Sequence, residues 1–184
     1  LRIPWRVERA QAWRVGAIMF RQPDGQQRPV SIDGQPAGNV LGLGLVRVGA
    51  PQEPQVPAEA RLESPTTFGG ALELYGVHMV AGDGILHVRA WWRAKGTLDA
   101  DYTALVHLYG AGGDLLAAAD TPPLNGGFPT SLWAPGDIVL QESTLPLGDG
   151  DARSVGLGWY DARSGLRLPV DGPLAADVVM LPIP

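Results

Sequence analysis

Leu72-Glu73-Leu74-Tyr75-Gly76-Val77-His78-Met79-Val80-Ala81-Gly82-Asp83-Gly84-Ile85-Leu86-His87-Val88-Arg89-Ala90-Trp91-Trp92-Arg93-Ala94 decides the fold. Two runs rich in branched and aromatic residues flank a Gly-Asp-Gly turn, which is a hairpin signature. Register is set by whichever pairing keeps one face apolar. A two-residue loop at Gly82-Asp83 puts Val80 opposite Ile85, Met79 opposite Leu86 and Val77 opposite Val88, an apolar set assigned to a core. The other face then pairs His78 with His87, Gly76 with Arg89 and Leu74 with Trp91. It is expected to show two His, Arg89, Arg93 and an exposed Trp91. A three-residue loop would set Val77 against Arg89 and mix the faces.

Outward from this hairpin the same grammar continues. Tyr102–Tyr109 and Leu115–Ala119 flank Gly110–Asp114, although Ala111–Asp120 also admits a short helix. Ile138–Leu145, Val155–Tyr160, Leu166–Val170 and Asp177–Ile183 are further strand candidates. Upstream, so are Trp13–Phe20, Arg28–Ile32 and Val40–Val48, separated by the turn formers Pro23-Asp24-Gly25 and Asp33-Gly34. Many short strands at this spacing predict an all-β antiparallel sandwich, jelly-roll or immunoglobulin-like. Met79, Val77, Leu86, Val88, Val106, Leu108, Val155 and Leu157 are its predicted core.

Part of the chain occurs twice. Val15-Gly16-Ala17-Ile18-Met19-Phe20 returns as Val155-Gly156-Leu157-Gly158-Trp159-Tyr160, 140 residues later. Gly25, Arg28, Pro29 and Val30 are echoed by Gly165, Arg167, Pro169 and Val170. Asp33-Gly34 is echoed by Asp171-Gly172, and Val40–Val46 by Val178–Ile183. A long-period echo marks a repeated structural unit. The expected organisation is therefore 1–48 as the terminal strands of a partial repeat, 49–61 as a Pro-rich linker and 62–184 as a complete module. The stretch Gly49–Pro65 carries Pro51, Pro54, Pro57 and Pro65 and reads as a connector with no ladder of its own. Leu1 is not an initiator Met, so a cut fragment or processed product is expected. The two echoed segments should adopt one strand–turn–strand arrangement.

Composition narrows the function. Of 184 residues, 45% are hydrophobic and 18% charged, enough apolar content for a core. Gly (25) and Pro (17) favour strands and turns over long helices. A net charge of −5 without a basic patch argues against nucleic acid. With no Cys there is no thiol nucleophile or thiolate metal site. No apolar run approaches the ~20 residues that span a bilayer, so this piece is expected to be soluble.

Chemistry-bearing residues are present, yet each has a structural alternative. Ser131, His107 and Asp120 could form a triad, but Thr130-Ser131-Leu132 lacks the glycines of a nucleophile elbow. Asp99, Asp101, Asp120, Asp137 and Glu142 are candidates for paired-carboxylate hydrolysis, and Asp is equally a turn former. His78 and His87 as cross-strand neighbours could begin a metal site; a solvent-facing pair is preferred, and no metal or cofactor is expected. Carbohydrate recognition needs exposed aromatic faces beside planar polar groups. Two places offer them: Trp91, Arg89 and His87 on the hairpin, and Asn125, Phe128, Trp133 and Asp137 in the long Asp120–Asp137 segment. For Trp133 the structural alternative, a ring tucked under the loop, is favoured.

One resemblance sharpens this. Trp91-Trp92-Arg93-Ala94, Leu98-Asp99-Ala100-Asp101-Tyr102-Thr103 and Val106-His107-Leu108 open an ordered series of motifs. It continues with Asp120-Thr121-Pro122-Pro123-Leu124, Pro129-Thr130-Ser131-Leu132-Trp133, Pro135-Gly136-Asp137, Val155-Gly156-Leu157 and Arg167-Leu168-Pro169-Val170. From about Leu62 to the end, the chain resembles the soluble C-terminal domain of bacterial polytopic membrane glycosyltransferases of the dolichyl-phosphate-mannose mannosyltransferase type. It departs at Gly158-Trp159-Tyr160-Asp161, where that family has Gly-Leu-Tyr-Asp, and a bulge is expected there. The resemblance implies a β-sandwich on the extracytoplasmic side, with catalysis in a membrane part. The expected function is a non-catalytic accessory domain engaging a glycan or lipid-linked sugar acceptor and the membrane portion of its parent. A structural or protein-docking module is the alternative, and a glycan-active hydrolase the third.

Overall fold

The computed structural model describes residues 11–21, 24–49, 54–148, 151–172 and 176–184. Pro23 and Pro51, used above as turn and linker signals, lie outside them. The fold is all-β, as the Gly/Pro punctuation predicts. Its strands are β1 (Gln11–Ala17), β2 (Ser31–Ile32), β3 (Gln35–Pro36), β4 (Leu41–Val48), β5 (Arg61–Phe68), β6 (Leu72–Gly82), β7 (Ile85–Ala94), β8 (Tyr102–Gly110), β9 (Leu115–Ala118), β10 (Ile138–Pro146), β11 (Ala152–Asp161) and β12 (Val178–Pro182). Among the described residues only short 3-10 turns accompany them, and the helical alternative at Ala111–Asp120 is replaced by β9. The chain divides into two units, 1–50 and 51–184.

The larger unit is an open sandwich of two four-stranded antiparallel sheets, ordered β10-β7-β6-β5 and β12-β11-β8-β9. Aromatic rings join them. Phe68 of β5 meets Trp92 of β7 edge-on at 5.6 Å, and Trp92 meets Trp159 of β11 at 5.0 Å. Edge-to-face pairs of this kind add about 0.5–1.5 kcal/mol to their burial. Leu86, Val88, Val106, Leu108, Val155 and Leu157 are buried as expected, while Val77 and Met79 are half-buried.

The central hairpin has a two-residue loop, one position later than expected. Gly82 pairs with Ile85, so Asp83 and Gly84 turn the chain at φ 51° and 74°. A type I′ turn needs positive φ at both central residues, and Asp-Gly meets that need better than Gly-Asp. Val77 consequently faces Ala90, not Val88, and His78 faces Arg89, not His87. Partners move by two residues, so the side-chain faces are kept. Val80 and Ile85, assigned to the core, are exposed on the outer face. A second correction is local: the register shifts between Leu74 and Gly76, and Leu74 joins Trp92 in the core instead of Trp91 outside. A bulge of this kind flips a strand's faces.

Three further expectations change. Residues 61–65 are not connector but the start of β5, at the sheet edge where Pro65 removes no needed ladder bond. Leu166–Val170 makes only isolated bridges, Arg167 to Tyr160 and Val170 to Phe68. At 158–161 the β11–β8 register runs without a bulge, and Trp159 points into the core, fully buried.

The echo is structural. In the small unit β1 pairs with β4; in the large one β11 pairs with β12. Between them lies one turn, written twice. The Arg21 N–H donates to the Gln26 carbonyl, the Gly25 N–H to Arg21, and the Arg28 N–H to Met19. The Asp161, Gly165 and Leu168 N–H groups donate to Leu166, Asp161 and Trp159, each residue number raised by 140. The side-chain cap recurs too: Asp24 Oδ1 accepts from the Gln26 N–H, and Ser164 Oγ from that of Leu166. After the turn the offset becomes 138. Val30 donates to Gly38 and Val170 to Ala176; Gly16 pairs with Gly42 and Gly156 with Met180. A methyl on Gly16 would meet Val40 Cγ1 at 2.7 Å, and one on Gly156 would meet Val178 Cγ1 at 2.7 Å. The copies differ in strand count, which corrects the expectation of one common strand–turn–strand arrangement: the likeness is confined to the shared turn and the pairing beside it. The small unit inserts the hairpin β2–β3 around Asp33-Gly34, whereas the Asp171 carboxylate accepts a bond from the Gly70 N–H instead.

Candidate functional site

Alternation along β7 places His87, Arg89, Trp91 and Arg93 on the outer face of its sheet. β10 and β6 flank them. Arg89 Nε donates to Glu142 Oε1 at 3.0 Å across the β7–β10 pair, both side chains exposed. Such a pair contributes about 0–1 kcal/mol and leaves both groups available to solvent. Around it lies a shallow open depression lined by His78, Val80, His87, Arg89, Glu142 and Thr144. It is the polar half of this face.

The other half is covered. Trp91, expected to be exposed, is 3% exposed. It stands opposite Gly76, and a methyl on Gly76 would meet the Ala60 carbonyl oxygen at 2.8 Å and Val56 Cγ1 at 3.2 Å. The connector 54–60 therefore lies on the face to which Trp91 points. A glycine opposite the indole leaves room for it. Beyond Trp91, the buried Glu73 is held by Arg93, whose Nε is 2.6 Å away, and by Lys95 at 3.5 Å. The Arg93 guanidinium lies 4.4 Å from the centroid of the Tyr75 ring. This cluster escaped the sequence reading because the bulge at Tyr75 hides the alternation that would have shown it.

The long 120–137 segment folds onto the sandwich. Phe128 stacks on Trp133 at 6.3 Å, and Trp133 meets Trp159 edge-on at 5.9 Å. Trp133 Nε1 donates to the Phe128 carbonyl at 2.9 Å. Both rings are 3% exposed, so they anchor the loop from beneath. Asp137 is buried, its Oδ2 accepting the Ala134 N–H at 2.8 Å while its own N–H donates to the Ala134 carbonyl at 3.0 Å, which closes the turn. Asn125 is exposed at the loop tip. It and Leu124 hold φ of 54° and 49°, a left-handed backbone that costs a Leu about 1–2 kcal/mol.

Ser131, His107 and Asp120 each have their own partners. Ser131 Oγ donates to Asp101 Oδ1 at 2.5 Å. His107 sits on the outer face of β8, with Nε2 3.2 Å from Asp120 Oδ2 and Nδ1 3.3 Å from the Tyr109 hydroxyl. Asp120 Oδ1 also accepts the Val106 N–H at 3.0 Å. Burial, and then the Asp120 charge, push the Tyr160 phenol above its ordinary range. Burial and Asp99 do the same to Tyr102. The Arg163 N–H and Ser164 hydroxyl hold Asp161 low, as expected of an Asp that closes a turn. His78 and His87 are diagonal rather than opposite, and no cluster of three metal-ligating side chains occurs among the described residues.

Of the sequence candidates, the structure brings Arg89 and His87 together on an open face. It separates them from Asn125, covers Trp91 with the connector and buries Phe128, Trp133 and Asp137. No family model, curated protein or solved structure matches the chain. No helix of the described residues is long and apolar enough to cross a membrane.

Proposed function

We propose that this chain is a non-catalytic β-sandwich module that docks against neighbouring protein, the alternative its sequence raised. The observation that supports this is the burial of Trp91, Phe128 and Trp133. A sugar ring needs an exposed aromatic face, and these rings are covered, Trp91 by the connector on the outer face and the other two beneath the long loop. The acidic and hydroxyl groups that might do chemistry are committed likewise: Asp101 to Ser131, Asp137 to the Ala134 turn, Asp120 to β8. The resemblance of 62–184 supports setting the module outside the cytoplasm, attached to a membrane glycosyltransferase.

The glycan reading narrows to one place, the depression around Arg89, whose planar groups suit sugar hydroxyls. Weak polar contacts alone would carry it. Titrating the 184-residue chain with a panel of cell-envelope glycans and a water-soluble polyprenyl-phosphate sugar, followed by amide NMR, decides between the two. The docking reading predicts no saturable shift. A saturable shift centred on His87 and Arg89, lost in Arg89→Ala, would establish the glycan reading instead.

A further inference from the structure

The copied ribbon carries information that its own unit does not use. In the large unit β11 has two neighbours, β12 on one side and β8 on the other. It also has a core face, on which Val155, Leu157 and Trp159 are fully buried. In the small unit β1 and β4 reproduce the β11–β12 pairing at Gly16–Gly42 and Ala17–Leu41, shift by one residue at a bulge before Gly16, and form a two-stranded sheet among the described residues. The equivalents of the core residues are Val15, Ala17 and Met19, and on β4 Leu41 and Leu43. All five are exposed, Met19 at 68% and Leu43 at 61%. A two-stranded ribbon with an apolar face is marginal in water without further strands, and an unpaired strand edge is a template for another strand.

We propose that β1 and β4 are the closing ribbon of a second sandwich of this same kind. Their partner is a set of strands equivalent to β5–β10, carried ahead of β1 on the same polypeptide. The order follows from the complete module, where β5–β10 precede β11 and β12. The docking register follows too. A β8-type strand runs antiparallel to β1, and the residue opposite Gly16 takes the place that His107 holds opposite Gly156. The residue opposite Ala17 takes the place of Val106, and a β7-type sheet covers Val15, Ala17 and Met19. This inference stands on the repeat alone and does not depend on the docking reading above.

The test uses the full chain, with residues 152–184 replaced by a second copy of residues 12–49. Because Met19 is smaller than Trp159 and Ala17 smaller than Leu157, a second form carries Ala17→Leu and Met19→Trp in the grafted copy. Residue-resolved amide exchange and light scattering are measured on both forms and on the parent. In the parent, β1 should exchange at least about tenfold faster than β11. In the second graft, the copied β1 should become as protected as β11 is in the parent. A grafted ribbon that stays unprotected in both forms would overturn the inference. So would a parent that dimerises and thereby protects β1, because the occupant would then be a second copy.

Discussion

The β1–β4 and β11–β12 ribbons share their turn, a capping bond, the strand register next to that turn and even the valine that crowds their first glycine, yet one is exposed and the other buried. The difference separates two causes. Hydrogen-bond geometry follows local sequence, a Gly at positive φ and a short polar cap, and is therefore the same in both. Burial follows what packs against the ribbon, and only β11 has β8 and the Trp92 layer. Local rules alone can make a ribbon. They cannot bury one.

Substituting equivalent positions breaks the comparison most sharply at 159 and 19. Trp159→Ala removes the ring that touches both Trp92 and Trp133, and should cost about 3–5 kcal/mol in chemical denaturation. Met19→Ala, at the same place in the exposed copy, should change stability by less than about 0.5 kcal/mol. Trp91→Ala should also be costly, about 3 kcal/mol or more, since the indole lies beneath the connector. A Trp91 variant with unchanged melting would mean the connector does not cover it.

The glycine pair is subtler. A methyl at 156 would meet Val178 at 2.7 Å and Tyr109 at 2.8 Å, inside a packed sheet. Gly156→Ala should cost about 1–3 kcal/mol. Gly16→Ala meets only Val40 and the Leu41 carbonyl, in a ribbon free to shift, and should cost less than half as much by thermal unfolding.

The smallest effect concerns Tyr160, whose equivalent is Phe20. Burial and Asp120 raise the phenol's pKa above its unfolded value near 10. The folded state therefore holds this proton more tightly than the unfolded state. Its contribution is complete below about pH 10 and is lost as pH rises through the folded value. Urea titrations on the alkaline side should show stability falling, with a shallower fall in Tyr160→Phe; Tyr102 supplies the rest. An unchanged slope in that variant would remove Asp120 and burial as its cause.

What the sequence made legible was set by neighbours along the chain. Alternation gave β7 its faces, the Gly-Asp-Gly run gave the hairpin a two-residue loop though one position early, and the repeat of Gly25 and Gly165 announced the common turn. What stayed hidden depends on residues far apart. Trp91 alternates with His87 and Arg89 and so reads as exposed; only the return of 54–60 over Gly76 buries it. The bulge at Tyr75 has one local signal, the isolated Gly76 beside it, and it moves Leu74 from the outer face to the core. At the candidate site, Arg89 and His87 could be read from period two. Their partner Glu142 could not, because the β10–β7 pairing spans the whole second hairpin and the long loop.

Cross-strand proton contacts in the folded 184-residue chain test the central claim, that one ribbon is built twice, most directly. A nuclear Overhauser spectrum should show Gly16 against Gly42 and Phe20 against Gln27, together with Gly156 against Met180 and Tyr160 against Arg167. Matching contacts at both places are the predicted result. Contacts from Gly16 to a residue other than Gly42, or no cross-strand contacts from β1 at all, would contradict it.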